Sequence, residues 1–131
     1  MTTTDIFVLY RWANLQDIWN EIEHNVRRVM DGEDVAYKRH IGGGVYISIT
    51  SGYGTVDIRR FFMPKGNTEA KATRQGVPVK FVEWQDMAEI VKRINTTYVY
   101  LGTATSCIQH DDHANQLGML ACLECNPFKN M

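Results

Sequence analysis

The chain lacks any run of about 18 apolar residues, so its pattern offers no membrane-spanning helix. Its first residues, MTTTDIFVLYRWANLQDIW, place no basic start ahead of an apolar run. The expectation is therefore a soluble protein inside the cell, with no membrane partner. Cysteine is scarce: Cys107, Cys122 and Cys125 are all there is. Three thiols cannot close a disulfide framework, and they read as reduced thiols or metal ligands. Without a secretory signal, Asn95-Thr96-Thr97 carries no weight as a glycosylation acceptor. Gly42-Gly43-Gly44 is not followed by Lys-Ser or Lys-Thr, nor by a helix pattern, which excludes a phosphate loop. Internal repeats and low-complexity runs are absent. Ser51 and Ser106 have no partners in a nucleophilic arrangement, and the adjacent carboxylates Asp111 and Asp112 read as solvated, so no enzyme is expected.

At 131 residues and 44% hydrophobic, the chain is long enough for one compact domain with modest additions. A net charge of −1 hides an uneven distribution. From Lys38 to Gly76 there are seven basic residues (Lys38, Arg39, Arg59, Arg60, Lys65, Lys71, Arg74) against two acidic ones (Asp57, Glu69). A basic middle in an acidic frame suits a polyanion held at one place, although charges that merely fall unevenly give the same count.

Taken in order, residues 5–11 (DIFVLYR) read as a strand. Asn14 reads as an N-cap with Asp17 three residues on, opening a helix whose apolar stripe is Leu15, Ile18, Trp19, Ile22, Val26 and Met30, ended by Gly32. Residues 34–40 alternate weakly as a strand. Residues 45–50 (VYISIT) alternate cleanly, with Val45, Ile47 and Ile49 on one face. A glycine-rich turn at 51–54 joins them to a strand over 55–63, a hairpin. Residues 65–75 read as a loop, and residues 77–79 as a short extended piece whose Pro78 requires an edge. Residues 81–94 form a helix with Phe81, Trp84, Met87, Ala88, Val91 and Ile94 on one stripe. Residues 98–101 read as a last strand, and the final 30 or so residues as a small appendage. The division is an N-terminal strand-helix extension over 1–40, a core over 41–96 and a Cys/His tail over 97–131.

A single strand of nucleic acid is held by cations along its backbone and by aromatic faces on which bases stack. Arg59, Lys71 and Arg74 supply the first; Tyr53, Phe61 and Phe62 offer the second. Core aromatics beside solvated cations would produce the same residue pattern.

Residues 45–95 resemble the single-stranded-DNA-binding domain of the transcriptional coactivator positive cofactor four. The resemblance is carried by Val56-Asp57-Ile58-Arg59-Arg60-Phe61-Phe62-Met63-Pro64, then by Lys71-Ala72-Thr73-Arg74-Gln75-Gly76, and by a helix bearing Trp84. It implies an α+β fold, a curved four-stranded antiparallel sheet backed by a helix, here with an N-terminal helical extension and a small Cys/His tail. It further implies a nuclear, non-enzymatic homodimer that binds single-stranded or unwound DNA and meets the transcription machinery. Arg59 matches a strand arginine on the DNA backbone, Phe62 stands where the family stacks a tryptophan, and Lys71 and Arg74 match loop cations. Gln75 departs from the cation often found there, and Ile49 and Thr50 supply none. The candidate nucleic-acid-binding set is Tyr53, Arg59, Arg60, Phe62, Lys71 and Arg74.

In the tail, CIQHDDHANQLGMLACLEC, Cys122-x2-Cys125 is a chelating pair, and Cys107 with His113 completes a tetrahedral set for structural zinc; His110 is the weaker ligand. The spacing fits no common zinc finger. Two alternatives are a metal-dependent nuclease using Asp112-His113, Asn115 and Cys122-x2-Cys125-Asn126, and a protein-interaction module whose basic patch meets an acidic partner.

Overall fold

A computed structural model describes residues 3–105 and 122–128, with side chains from residue 9. Two helices come first, α1 (Thr3–Asp17) and α2 (Trp19–Met30). Four strands follow: β1 (Ala36–Gly42), β2 (Val45–Thr50), β3 (Thr55–Phe62) and β4 (Lys71–Lys80). Helix α3 (Phe81–Thr97) and the single turn α4 (Val99–Gly102) complete the order. The strands form one antiparallel sheet in the order β1-β2-β3-β4, the expected α+β architecture.

Alternation decides which face of the sheet is buried. Ile47, Ile49 and Val56 are fully buried, and they meet Ile18, Ile22 and Val26 of the N-terminal helices and Trp84 of α3 in one cluster. The indoles of Trp19 and Trp84 stack with centroids 4.4 Å apart and planes 19° apart, an offset arrangement that adds about 1 kcal/mol to the area they bury. Helix α2 therefore covers the sheet beside α3, so the N-terminal segment shares the core. Pro78 lies on the edge strand β4, opposite Asp57, where its missing N–H interrupts no inner ladder.

Local chemistry sets the boundaries. Helix α2 ends in a Schellman arrangement. Gly32, at φ 84°, donates to the Val29 carbonyl at 3.0 Å, and the Glu33 N–H reaches the Arg28 carbonyl at 2.9 Å. Helix α3 begins where the Glu83 carboxylate accepts the Lys80 N–H at 3.1 Å.

Four expectations are corrected. Residues 5–11 belong to α1 and not to a strand, because tertiary anchors override a β-prone local run. Trp12 Nε1 donates to Asn95 Oδ1 (2.9 Å), Asn95 Nδ2 to Gln16 Oε1 (2.7 Å), and Ala13 is buried. Asn14 lies inside α1, donating its side-chain amide to the Ile41 carbonyl at 2.7 Å, and Ile18 takes the N-cap place of α2. Residues 71–75 extend β4 and are not loop. Residues 98–101 are not a strand; the Tyr98 N–H bonds the Ile94 carbonyl and Val99–Gly102 forms α4.

Residues 122–128 dock on the β1–β2 turn. Glu124, 4% exposed, receives Arg11 Nε at 2.7 Å and Arg11 Nη2 at 3.0 Å, and its carbonyl accepts the Gly43 N–H at 2.9 Å. Gly42 is required there, since a side chain would begin 2.3 Å from Glu124 Oε1 at φ 129°. Removing one member of a buried pair strands the other. Glu124→Gln should therefore lower unfolding stability by about 3 kcal/mol in urea denaturation, while Arg11→Met with Glu124→Leu recovers most of it. A single variant as stable as the parent would show that the pair contributes nothing.

Candidate nucleic-acid interface

Away from the helices, the sheet presents the alternate residues of its strands in cross-strand rows. One row is Lys38, Ser48, Asp57 and Pro78; the next is His40, Tyr46, Arg59 and Gly76. Phe61 stands beyond Arg59 on the same face, its ring centroid 4.9 Å from that of Tyr46, while His40 lies 5.0 Å from Tyr46 on the other side. The Lys38 ammonium lies 4.8 Å from the Tyr46 centroid and 4.0 Å from that of Phe61, within cation–π range. Burial raises the Tyr46 phenol above its ordinary pKa, so the ring is neutral at physiological pH.

Arg59 is committed to its own chain. Its Nε and Nη2 each lie 3.0 Å from an Asp57 oxygen, and Nη1 donates to the Thr73 carbonyl at 2.9 Å. The Asp57 carboxylate raises the guanidinium pKa further. Gly76 makes room for this arrangement, because a Cβ there would fall 2.8 Å from three Arg59 side-chain carbons. Opposite Arg60 the β3–β4 register shifts. There Thr73 Oγ1 donates to the Arg60 carbonyl at 2.7 Å and accepts the Gln75 N–H at 3.1 Å, a bulge that turns Arg74 to solvent.

The six candidate residues therefore do not form one cluster. Phe62, 47% exposed, ends β3 opposite the exposed Lys71, and Arg74 lies close by on the bulge. Arg60 Nη1 donates to the Gly43 carbonyl at 3.1 Å on the opposite side of β3 from Arg59. Tyr53, 68% exposed, sits at the β2–β3 turn, roughly 25 Å from Phe62 along the strand by its rise per residue. The sequence reading missed the grouping of Lys38 and His40 with Tyr46 and Phe61, which needs the β1–β2 register to be seen. Of the expected zinc ligands, Cys122 and Cys125 are half-buried in one turn, closed by Asn126 N–H to the Cys122 carbonyl at 2.8 Å. Cys107, His110 and His113 lie outside the described residues, as do Asp112 and Asn115 of the nuclease alternative. Among the described residues no group of three or more His, Cys, Asp or Glu could hold a metal, and no helix is long and apolar enough to cross a membrane.

His40 joins this face to the docked segment. The Gly44 N–H donates to His40 Nε2 at 3.0 Å, which requires an unprotonated Nε2. Burial holds the imidazole below its ordinary value near 6.5; Arg11 lowers it further and Glu124 opposes. Below pH about 6.5 the unfolded chain then binds more protons than the folded one, so this stability is complete above that pH and lost as pH falls toward the lower folded value. His40→Gln keeps an acceptor for Gly44 without titrating. Melting temperatures at about pH 7 and about pH 5 should fall less for this variant than for the parent; equal falls would remove His40 from the pH response.

No protein-family model, curated protein or solved structure matches this chain.

Proposed function

We propose that the chain binds single-stranded nucleic acid, without chemistry, along the open face of its sheet. The observation that carries this reading is the row of rings from His40 through Tyr46 to Phe61, with the Lys38 ammonium among them. Rings supply faces on which bases of any identity stack, at about 1–3 kcal/mol each, and cations follow the backbone. Arg74, exposed on the bulge, lies beside this track, whereas Phe62 and its partner Lys71 end β3 on the side opposite Phe61 by alternation. The resemblance to the coactivator domain supports the same ligand and, with it, a nuclear role in transcription.

Of the seven basic residues in the middle of the chain, three are tied internally: Arg59 to Asp57, Arg60 to Gly43, and Arg39 to Glu21 at 3.2 Å. Lys38, Lys65, Lys71 and Arg74 are exposed. Four phosphate contacts at about −0.7 each give a slope near −3 in log affinity against log salt for a single strand. Titration of a labelled thymidine oligonucleotide at several salt concentrations should return that slope. Lys71→Ala and Arg74→Ala should each reduce its magnitude by about 0.7 and weaken every sequence alike. Phe61→Ala should lower affinity by about 1–3 kcal/mol. Unchanged affinity in all three variants would discard the surface.

Two accompaniments belong to this proposal. A homodimer would use the solvent side of α3, where Val82 and Ile90 are 69% and 49% exposed now that α2 occupies Trp84. Structural zinc would be held by Cys122 and Cys125, whose shared turn suits a chelate, together with Cys107 and His113. Native mass spectrometry reads both: twice the chain mass with one zinc per chain is expected, and a metal-free monomer would remove both.

A further inference from the structure

The open face of the sheet holds a recess on the side of Asp57 away from the ring cluster. It has a volume of about 310 Å³ and is lined by Ser48, Thr50, Tyr53, Thr55, Asp57 and Pro78. That is the low end for a ligand pocket, room for one heterocycle. None of its lining residues is cationic, although the neighbouring face is basic. A phosphate is therefore not its natural occupant. Its chemistry is an acceptor-only carboxylate, three hydroxyls that donate or accept, an exposed tyrosine ring at the rim and the apolar surface of proline.

Asp57 is oriented before any ligand arrives. Arg59 holds both of its oxygens at 3.0 Å, and each oxygen keeps capacity for another donor. A carboxylate fixed in this way selects a partner edge rich in N–H groups. Guanine presents two adjacent donors, the ring N1–H and the exocyclic amine. Thymine and uracil flank their one N–H with carbonyl oxygens, which a carboxylate repels; adenine and cytosine place their amine beside a ring acceptor. The hydroxyls of Ser48, Thr50 and Thr55 offer donors for the guanine carbonyl, and the Tyr53 ring at the rim offers a face to the base.

We infer that this recess reads a guanine base of the bound strand. The inference rests on the single-strand reading of the same face, and it gives that otherwise sequence-tolerant track a point of sequence preference. Hydrogen-bonded recognition of a base edge discriminates by about five- to 150-fold.

The test uses fluorescence anisotropy with thymidine oligonucleotides identical except for one central position, bearing guanine, hypoxanthine, adenine or thymine. Hypoxanthine keeps the N1–H and lacks the amine. The guanine strand should bind about tenfold more tightly than the thymine strand, with hypoxanthine between them. Asp57→Asn should abolish the difference. Because that change also disturbs Arg59, Thr55→Val serves as a second variant that leaves the Asp57–Arg59 pair intact, and it should narrow the preference. Equal affinity for all four strands, or a guanine preference undiminished in both variants, overturns the recess and leaves the single-strand reading standing. No binding to any strand overturns both.

Discussion

The stacking of Trp19 on Trp84 is the contact on which the arrangement depends. It joins a helix from the start of the chain to one that follows the sheet, and between them the two helices cover Ile47, Ile49 and Val56. Because both helices lie on one face, the other is left uncovered by them. Alternation along β2 then does the sorting: each residue that enters the core sends its neighbour outward, so Tyr46 and Ser48 face out because Ile47 and Ile49 are buried. A one-residue slip would exchange the two sets, and the depth of the core is what forbids it.

The outer face is held in place from its two edges. On the β1 side Glu124 ties Arg11 and the β1–β2 turn together, and His40 takes up the Gly44 N–H beside it. On the β4 side Gly76 lets the Arg59 side chain lie over that strand to reach Thr73 while Asp57 of its own strand holds the guanidinium, and the adjoining bulge sends Arg74 outward. Rotamers of Lys38, Tyr46 and Phe61 are limited by one another between these two anchors. Rings that are already ordered lose less entropy when a base stacks on them.

Much of the fold is legible in the residues. Val45 to Thr50 alternates without a fault, Gly32 stops α2 where a left-handed residue is needed, and Pro78 names its strand as an edge. The failures have physical causes. Residues 5–11 are β-prone by type, and distant contacts of α1 override that preference, among them those from Trp12 and Gln16 to Asn95, some 80 positions away. Asn14 resembles a cap because its amide suits one; here the same amide satisfies the Ile41 carbonyl. Residues 71–75 lack a strand pattern because a bulge interrupts their pairing with β3. In the candidate site the residue types were legible and their commitments were not. A sequence shows that Arg59 is two positions from Asp57, but not that the pair closes on itself at 3.0 Å.

Those commitments change how charge on this chain should be weighed. Arg59 lies in the most basic part of the sequence, yet it acts locally as the orienting partner of an acid. Asp57 in turn is one of only two acids in that part, and it faces the recess. A basic stretch that did nothing but attract phosphates would gain by losing it. The pair is half-buried, its side chains 23% and 26% exposed. In the proposed single-strand reading, the pair places one fixed acceptor within a run of donors and rings. On the proposed reading, a polyanion drawn to the face by exposed lysines and Arg74 would spread on Tyr46 and Phe61 and be halted in one register by the edge of a single base.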